Sequence, residues 1–208
     1  VTTGLLILLP AVFFFFTDFS ALSTGKRLLA SFFQSVTPRT AGYNTVTLSA
    51  MSGASQGIMI LLMLIGGSPG STAGGIKTTT LAVLLANTAA TFRQRENAQF
   101  FGRRIDFSAV KTAATILTMY LTLFFGGAVF ISVYEDLTLS ACLYETASAV
   151  GTVGLTLGIT PQLHIPSQIV LIVLMYLGRV GGLTLIYAAF SGKKINGAKL
   201  PQEKIMIG

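Results

Sequence analysis

The stretch from Ala109 to Val133 holds a single charged residue, Lys111, close to its start. The hydrocarbon core of a bilayer takes about 20 apolar residues of α-helix, so this run reads as a membrane span. Ile165 to Phe190 fits the same ruler, apart from Arg179 in its middle. Ser52 to Phe92 is too long for one span and is split by Gly66-Gly67-Ser68-Pro69-Gly70-Ser71-Thr72-Ala73-Gly74-Gly75, so it reads as a broken helix. Val1 to Phe16 is short for a span and has neither an initiator Met nor a basic n-region, a poor fit to a secretory signal peptide. The chain is expected to begin inside a span and to be a fragment of something longer.

Composition removes the competing classes. Only 10% of the residues are charged and 52% are hydrophobic, with 15 Phe. A soluble domain carries roughly 25% charged residues, and disorder needs far less apolar surface. One cysteine, Cys142, excludes a disulfide framework and a Cys-based metal site. One histidine, His164, and seven carboxylates leave almost no material for hydrolytic triads or His-rich metal centres, so an enzyme is not expected.

Lys plus Arg outnumber Asp plus Glu 14 to 7. In a chain this apolar the excess points to the cytoplasmic side of a membrane rather than to nucleic acid. The loop from Arg93 to Lys111 and the tail with Lys193, Lys194, Lys199 and Lys204 are therefore placed in the cytoplasm. The Glu135-Asp136 turn and the segment Leu157 to Pro166 then fall outside. Lys26 and Arg27, on the external side, run against the rule.

Two apolar stretches, Leu28 to Val36 and Leu139 to Val150, are too short to cross. A helix of about ten residues is about 15 Å long, half the depth of the hydrocarbon. Each is followed by a segment without helical pattern: Thr37-Pro38-Arg39-Thr40-Ala41-Gly42-Tyr43-Asn44-Thr45 and Thr152-Val153-Gly154-Leu155-Thr156. Irregular backbone at membrane depth persists only where it is buried in protein or lines a water-filled path. The order span, half-helix, irregular strand, span occurs twice. Gly154 lies 112 positions after Gly42, and the same offset maps Ile60, Leu62, Met63 and Gly66 onto Ile172, Leu174, Met175 and Gly178.

A half-helix ending at mid-membrane directs its C-terminal carbonyls, roughly half a negative charge, toward the interior, where they stabilise a cation. The strand after it offers backbone carbonyls and threonine hydroxyls, hard neutral oxygens that can replace the hydration shell of an alkali ion. Glycine at 42 and 154 lets carbonyls face one axis in conformations that a Cβ penalises. A lone Thr-x-Gly is more often a loop turn; two copies at one offset, each behind a half-length helix, favour an ion filter. Gly70 to Thr78 nearly spells a phosphate-binding loop, but Ile76 parts Gly75 from Lys77 and an apolar helix, not a strand, precedes it. A polar plug of small residues, hinged on Gly66-Gly67 and Gly74-Gly75, fits better.

Ser35 to Thr45 together with Gly66 to Thr78 resembles the Trk/Ktr/HKT superfamily of potassium transport proteins, and within it the bacterial KtrB-type membrane subunits, over nearly the whole chain. The resemblance implies an all-α membrane fold of two span, pore-helix, span repeats with extended filter strands. These would be repeats three and four of a four-repeat, potassium-channel-like pore. Residues 1–92 are then the third repeat with its intramembrane gate loop at 66–77, 93–108 a basic cytoplasmic loop, 109–192 the fourth repeat, and 193–208 a basic tail. It further implies that Thr40, Ala41, Gly42, Tyr43, Asn44, Thr152, Val153, Gly154 and Leu155 form filter segments whose carbonyls near Gly42 and Gly154 bind the transported potassium. Gly66, Gly67, Ser68, Gly70, Ser71, Thr72, Gly74, Gly75 and Lys77, with Arg179, form the gate. The partners implied are the absent N-terminal half of the subunit, a second copy in a homodimer and a cytosolic ring of nucleotide-binding regulatory subunits. The location implied is the bacterial plasma membrane.

Other readings stay open beside this one: a non-conducting structural or regulatory fragment, and a sodium/potassium transporter of the same superfamily. Alternating access is disfavoured because no ionisable residue suited to a cation sits at a midplane site. Arg179, mid-span, either satisfies loop carbonyls or raises an electrostatic barrier together with Lys77. Glu145 is either solvated or a buried brace behind the filter. Arg39 is expected to anchor its strand to a carboxylate, and Phe13 to Phe16 to be lipid-facing bulk. With two of the four strands a filter needs, the chain alone is not expected to conduct.

Overall fold

The computed structural model describes residues 2–95, 97–100 and 102–181. Helices α1 (Thr2–Thr17), α2 (Thr24–Val36), α3 (Gly53–Leu64) and α4 (Thr78–Phe92) are followed by a hairpin of β1 (Gln99–Phe100) and β2 (Arg103–Arg104). Then come α5 (Phe107–Glu135), α6 (Leu139–Val150) and α7 (Ile165–Val180). Among the described residues, only α5 is both long and apolar enough to cross a bilayer; α1, α3, α4 and α7 are shorter apolar helices. The last part of the span expected to reach Phe190, and the basic tail, lie outside the described residues.

The 112-residue offset governs backbone geometry as well as sequence. Thr40 and Thr152 have φ of 67° and 53°, and Gly42 and Gly154 have φ of 76° and 93°. The 3-10 turns Leu48–Ala50 and Thr160–Gln162, and the first residues of α3 and α7, fall in the same register. A carboxylate at the end of the preceding helix holds each of those starts. Asp18 Oδ1 accepts the Ser52 N–H at 2.7 Å, and Glu135 Oε1 accepts the His164 N–H at 2.9 Å. Both bonds satisfy donors that a helix N-terminus leaves free.

Helix α6 is the hub, buried at every position from Tyr144 to Val150. It packs against α3, α5 and α7. On one side Phe14, Met59, Met63, Tyr144 and Leu155 meet; on the other Ile116, Tyr120, Ile131, Cys142 and Leu174. In lipid, helices gain little from hydrophobic transfer and associate through close packing of small residues. A Cβ on Gly178 would lie 2.0 Å from the Val150 carbonyl oxygen, and one on Gly151 would lie 2.3 Å from that of Met63. These glycines let α7 and α3 seat directly on the C-terminal end of α6.

One expectation gains detail and three need correction. The segment read as a basic loop contains the β1–β2 hairpin, turned at Gly102 with φ of 75°. Helix α2 begins at Thr24, four residues before Leu28. Its early turn is stabilised because Arg27 stacks 4.1 Å over the Phe15 ring and its Nε donates to the Phe15 carbonyl at 2.6 Å. Phe13 to Phe16 is not uniform: Phe14 is fully buried in the core while Phe16 is 70% exposed. Among the described residues Arg39 meets no carboxylate; its Nη2 donates to the Gly66 carbonyl at 3.2 Å, a neutral acceptor brought to it by the break between α3 and α4.

Candidate functional site

Helices α2 and α6 both end on irregular backbone, and both ends fold back onto the last turn of their helix. The N–H groups of Ala41 and Gly42 return to the Thr37 carbonyl at 3.2 and 3.0 Å. Those of Thr152 and Val153 return to the carbonyls of Ala149 and Ser148 at 3.0 and 2.9 Å, and Gly154 N–H reaches Ser148 Oγ at 3.1 Å. With the donors turned inward, the carbonyls of Thr40, Ala41, Gly42, Thr152, Val153 and Gly154 meet no donor among the described residues. Buried carbonyls are normally paired. A row of free ones behind two helix C-termini is a cation-attracting surface.

The two segments touch. A Cβ on Gly42 would fall 2.0 Å from the Val153 carbonyl oxygen, whereas one on Gly154 would meet nothing described within 4 Å. Each segment is braced from behind by different chemistry. Thr37 Oγ1 donates to the Tyr43 carbonyl at 2.6 Å. Glu145, 4% exposed, accepts from Thr156 Oγ1 at 2.7 Å and Leu157 N–H at 2.9 Å on one oxygen, and from Thr160 Oγ1 at 2.6 Å on the other. The buried-brace alternative for Glu145 is the geometry observed. Sequence reasoning missed Thr37 and Ser148 as braces; the signal was a hydroxyl residue at the end of each short helix. Tyr43 and Asn44 stand apart, with exposed side chains and the Tyr43 carbonyl already taken.

The glycine-rich segment from Ile65 to Lys77 leaves α3 and returns to its own start. Gly66 N–H donates to the Ile76 carbonyl at 2.8 Å, and Ile76 N–H to that of Leu64 at 2.9 Å. Gly74 packs on Thr152, whose Oγ1 would be 2.4 Å from a Cβ there, and Gly75 takes φ of 70° beside the Leu64 carbonyl. Gly66, Gly74 and Gly75 are buried, while Ser68, Pro69, Gly70, Ser71 and Thr72 form an exposed tip. Three cations hold this loop by its carbonyls. Arg39 takes Gly66, Arg179 Nη1 takes Thr72 at 2.6 Å, and Lys77 Nζ takes Ser71 at 3.2 Å and Ala73. Arg179 thus does satisfy a loop carbonyl. It also lines two cavities, of about 470 Å³ beside the loop and about 650 Å³ beside Thr152 and Gly154.

Broken apolar helices lie around carbonyls that meet no donor among the described residues, an arrangement that irregular backbone takes in membrane proteins only where it is buried or lines a water-filled path. The chain belongs to the TrkH family of cation transport proteins, whose sequence profile matches residues 4–197. It is 41% identical over 219 residues to the potassium/sodium uptake protein NtpJ of Enterococcus hirae, covering 99% of this chain and 48% of that protein. It is 35% identical over 182 residues to the Ktr system potassium uptake protein B of Bacillus subtilis, covering 88% of this chain and 41% of that protein. Its fold is similar to the crystal structure of the potassium transporter TrkH from Vibrio parahaemolyticus, with a TM-score of 0.76 at 20% identity over 90% of this chain and 43% of that one. The chain spans about half the length of the curated relatives it matches. The family is one of transporters, not enzymes.

Proposed function

We propose that the chain forms half of a potassium pathway, conducting through backbone carbonyls at Thr40 to Gly42 and Thr152 to Gly154. The observation that carries this reading is the set of unpaired carbonyls in two register-related segments that touch at Gly42 and Val153. Carbonyl oxygens at the C-terminal ends of α2 and α6 replace the hydration shell of a monovalent cation without binding it irreversibly. In this reading α2 and α6 are pore helices, 1–92 and 109–192 are the third and fourth repeats, and the first two belong to the rest of a longer subunit. The open side of Gly154 is where a further strand seats.

The loop 66–77 is the gate. Its exposed tip carries little side-chain bulk, and its position depends on four cation-to-carbonyl bonds that can be broken without unfolding a helix. Lys77 and Arg179 add positive charge on the same path, which slows cation passage while the loop is in place. In this reading the subunit lies in a bacterial plasma membrane, as a homodimer on a cytosolic nucleotide-binding ring that meets the basic hairpin at Arg103 and Arg104. Sodium is the alternative cargo, and the name of the NtpJ relative, a potassium/sodium uptake protein, favours keeping it in the test.

The test is ion selectivity in Gly42→Ser and Gly154→Ser. Both add a Cβ at positive φ, and the first also strikes the Val153 carbonyl. Potassium over sodium discrimination, read as rubidium and sodium uptake into proteoliposomes, should fall in both. Unchanged discrimination in both variants would remove these segments from the pathway.

A further inference from the structure

We propose that the groove between α1 and α4 is a binding site for one anionic phospholipid of the cytoplasmic leaflet, with its phosphate on Arg93 and Arg95. The groove has a volume of about 390 Å³. Its walls are apolar, with Leu5 from α1 and Leu85, Ala86 and Ala89 from α4. Arg93 and Arg95 close one end, immediately past the last residue of α4.

Length and charge together select the occupant. Ala82, Ala86, Ala89 and Arg93 follow one another along one face of the helix axis, and the rise from the first to the last is about 16 Å. That is the hydrocarbon depth of a single leaflet. Leu5 and Leu85 are 52% and 58% exposed, so the wall is available to an acyl chain along its length. At the other end neither arginine side chain forms a hydrogen bond or an ion pair among the described residues, in contrast to Arg39, Lys77 and Arg179. A guanidinium pair matches phosphate oxygens bidentately. Small alanine side chains leave the room, and leucines flank it. A zwitterionic lipid supplies the chain but places a choline or ethanolamine cation beside two arginines, whereas phosphatidylglycerol does not.

The site needs the chain to lie in a membrane with this end at the cytoplasmic face. It does not need the pathway to conduct, so loss of selectivity in the glycine variants and loss of lipid here are separable. The experiment is native mass spectrometry of the protein purified from membranes, with phosphatidylglycerol or phosphatidylcholine of the same chain lengths added. Arg93→Gln with Arg95→Gln should lower phosphatidylglycerol retention roughly ten-fold, since each basic residue near an anionic surface contributes a several-fold effect. Ala86→Phe fills the groove with both arginines present and should displace either lipid. Arg103→Gln with Arg104→Gln, on the hairpin, should leave phosphatidylglycerol retention unchanged. Equal retention in the Arg93/Arg95 variant, or an equal loss in the hairpin control, overturns the site. Displacement of the lipid by inorganic phosphate or glycerol phosphate alone would show a free-phosphate site and overturn it as well. If Ala86→Phe fails to insert, the arginine variant and its control decide the question.

Discussion

Removing the carboxylate of Glu145 should release the segment from Thr152 to Leu157 without touching any of its carbonyls. Glu145 accepts three hydrogen bonds at 2.6 to 2.9 Å while almost fully buried. A hydrogen bond to a charged group contributes about 1.5–3 kcal/mol. Glu145→Leu, which has no acceptor, forfeits about 4.5 kcal/mol at the low end of that range and leaves the Leu157 N–H unpaired and the two threonine hydroxyls with only each other, 3.4 Å apart, to donate to. Glu145→Gln keeps one oxygen. If that oxygen stays on Leu157 N–H, the Thr160 hydroxyl can rotate to accept from the new amide, so the loss should be nearer 1–2 kcal/mol. The assay is rubidium and sodium uptake by the whole protein in proteoliposomes, with gel filtration as the check on folding. Rubidium preference should fall about ten-fold in Glu145→Gln, the equivalent of about 1.4 kcal/mol, and should be abolished in Glu145→Leu. Wild-type preference in a well-folded Glu145→Leu protein would refute the brace, because the free segment would then need no support from behind.

Deleting only the exposed loop tip, Ser68 to Thr72, should raise potassium flux while the packed Gly74 and Gly75 stay in place; unchanged flux with normal insertion would exclude the loop from control. Gly178→Ala puts a methyl group 2.0 Å from the Val150 carbonyl and should lower the melting temperature, with overpacking costing about 1–3 kcal/mol. An unshifted melting curve would show that α7 does not seat where described. Burial raises the Asp18 pKa, but bonds from the Ser52 N–H and from Ser55 and Thr17 outweigh it and hold the carboxyl below its ordinary value of 3.8. A depressed carboxylate stabilises the fold above its unfolded pKa and loses that contribution as pH falls through the folded one. Thermal stability should therefore drop below about pH 4 more steeply in the wild type than in Asp18→Asn; parallel curves would contradict the assignment.

The helix breaks were legible because a bilayer imposes a length. Leu139 to Val150 could be bounded from its apolar content, and α6 has those limits. The positions of Gly42 and Gly154 could be aligned because nothing was inserted between either glycine and the helix that follows it. What the cations do was legible only in part. Arg39, Lys77 and Arg179 all donate to carbonyls of one loop; that was one of two readings for Arg179, but for Arg39 and Lys77 a backbone acceptor leaves no trace in residue type. The same holds for Arg27, which breaks the charge rule for loops yet is accommodated by an aromatic face and a helix-end carbonyl. The β1–β2 hairpin was hidden among the charges that mark its side of the membrane. Local pairing across Gln99 and Arg104 decides its shape, and charge patterning carries no register.

Thr37 and Glu145 stand behind two segments that share one 112-residue register, and they do different work. In a pore built from identical chains, every codon change is copied around the ring, so an alteration that is mild once must be tolerated several times over. Here each segment has its own codon. A neutral hydroxyl came to serve one and a carboxylate the other, a divergence that strict symmetry forbids. A substitution can therefore change the support of one segment and leave the other as it is.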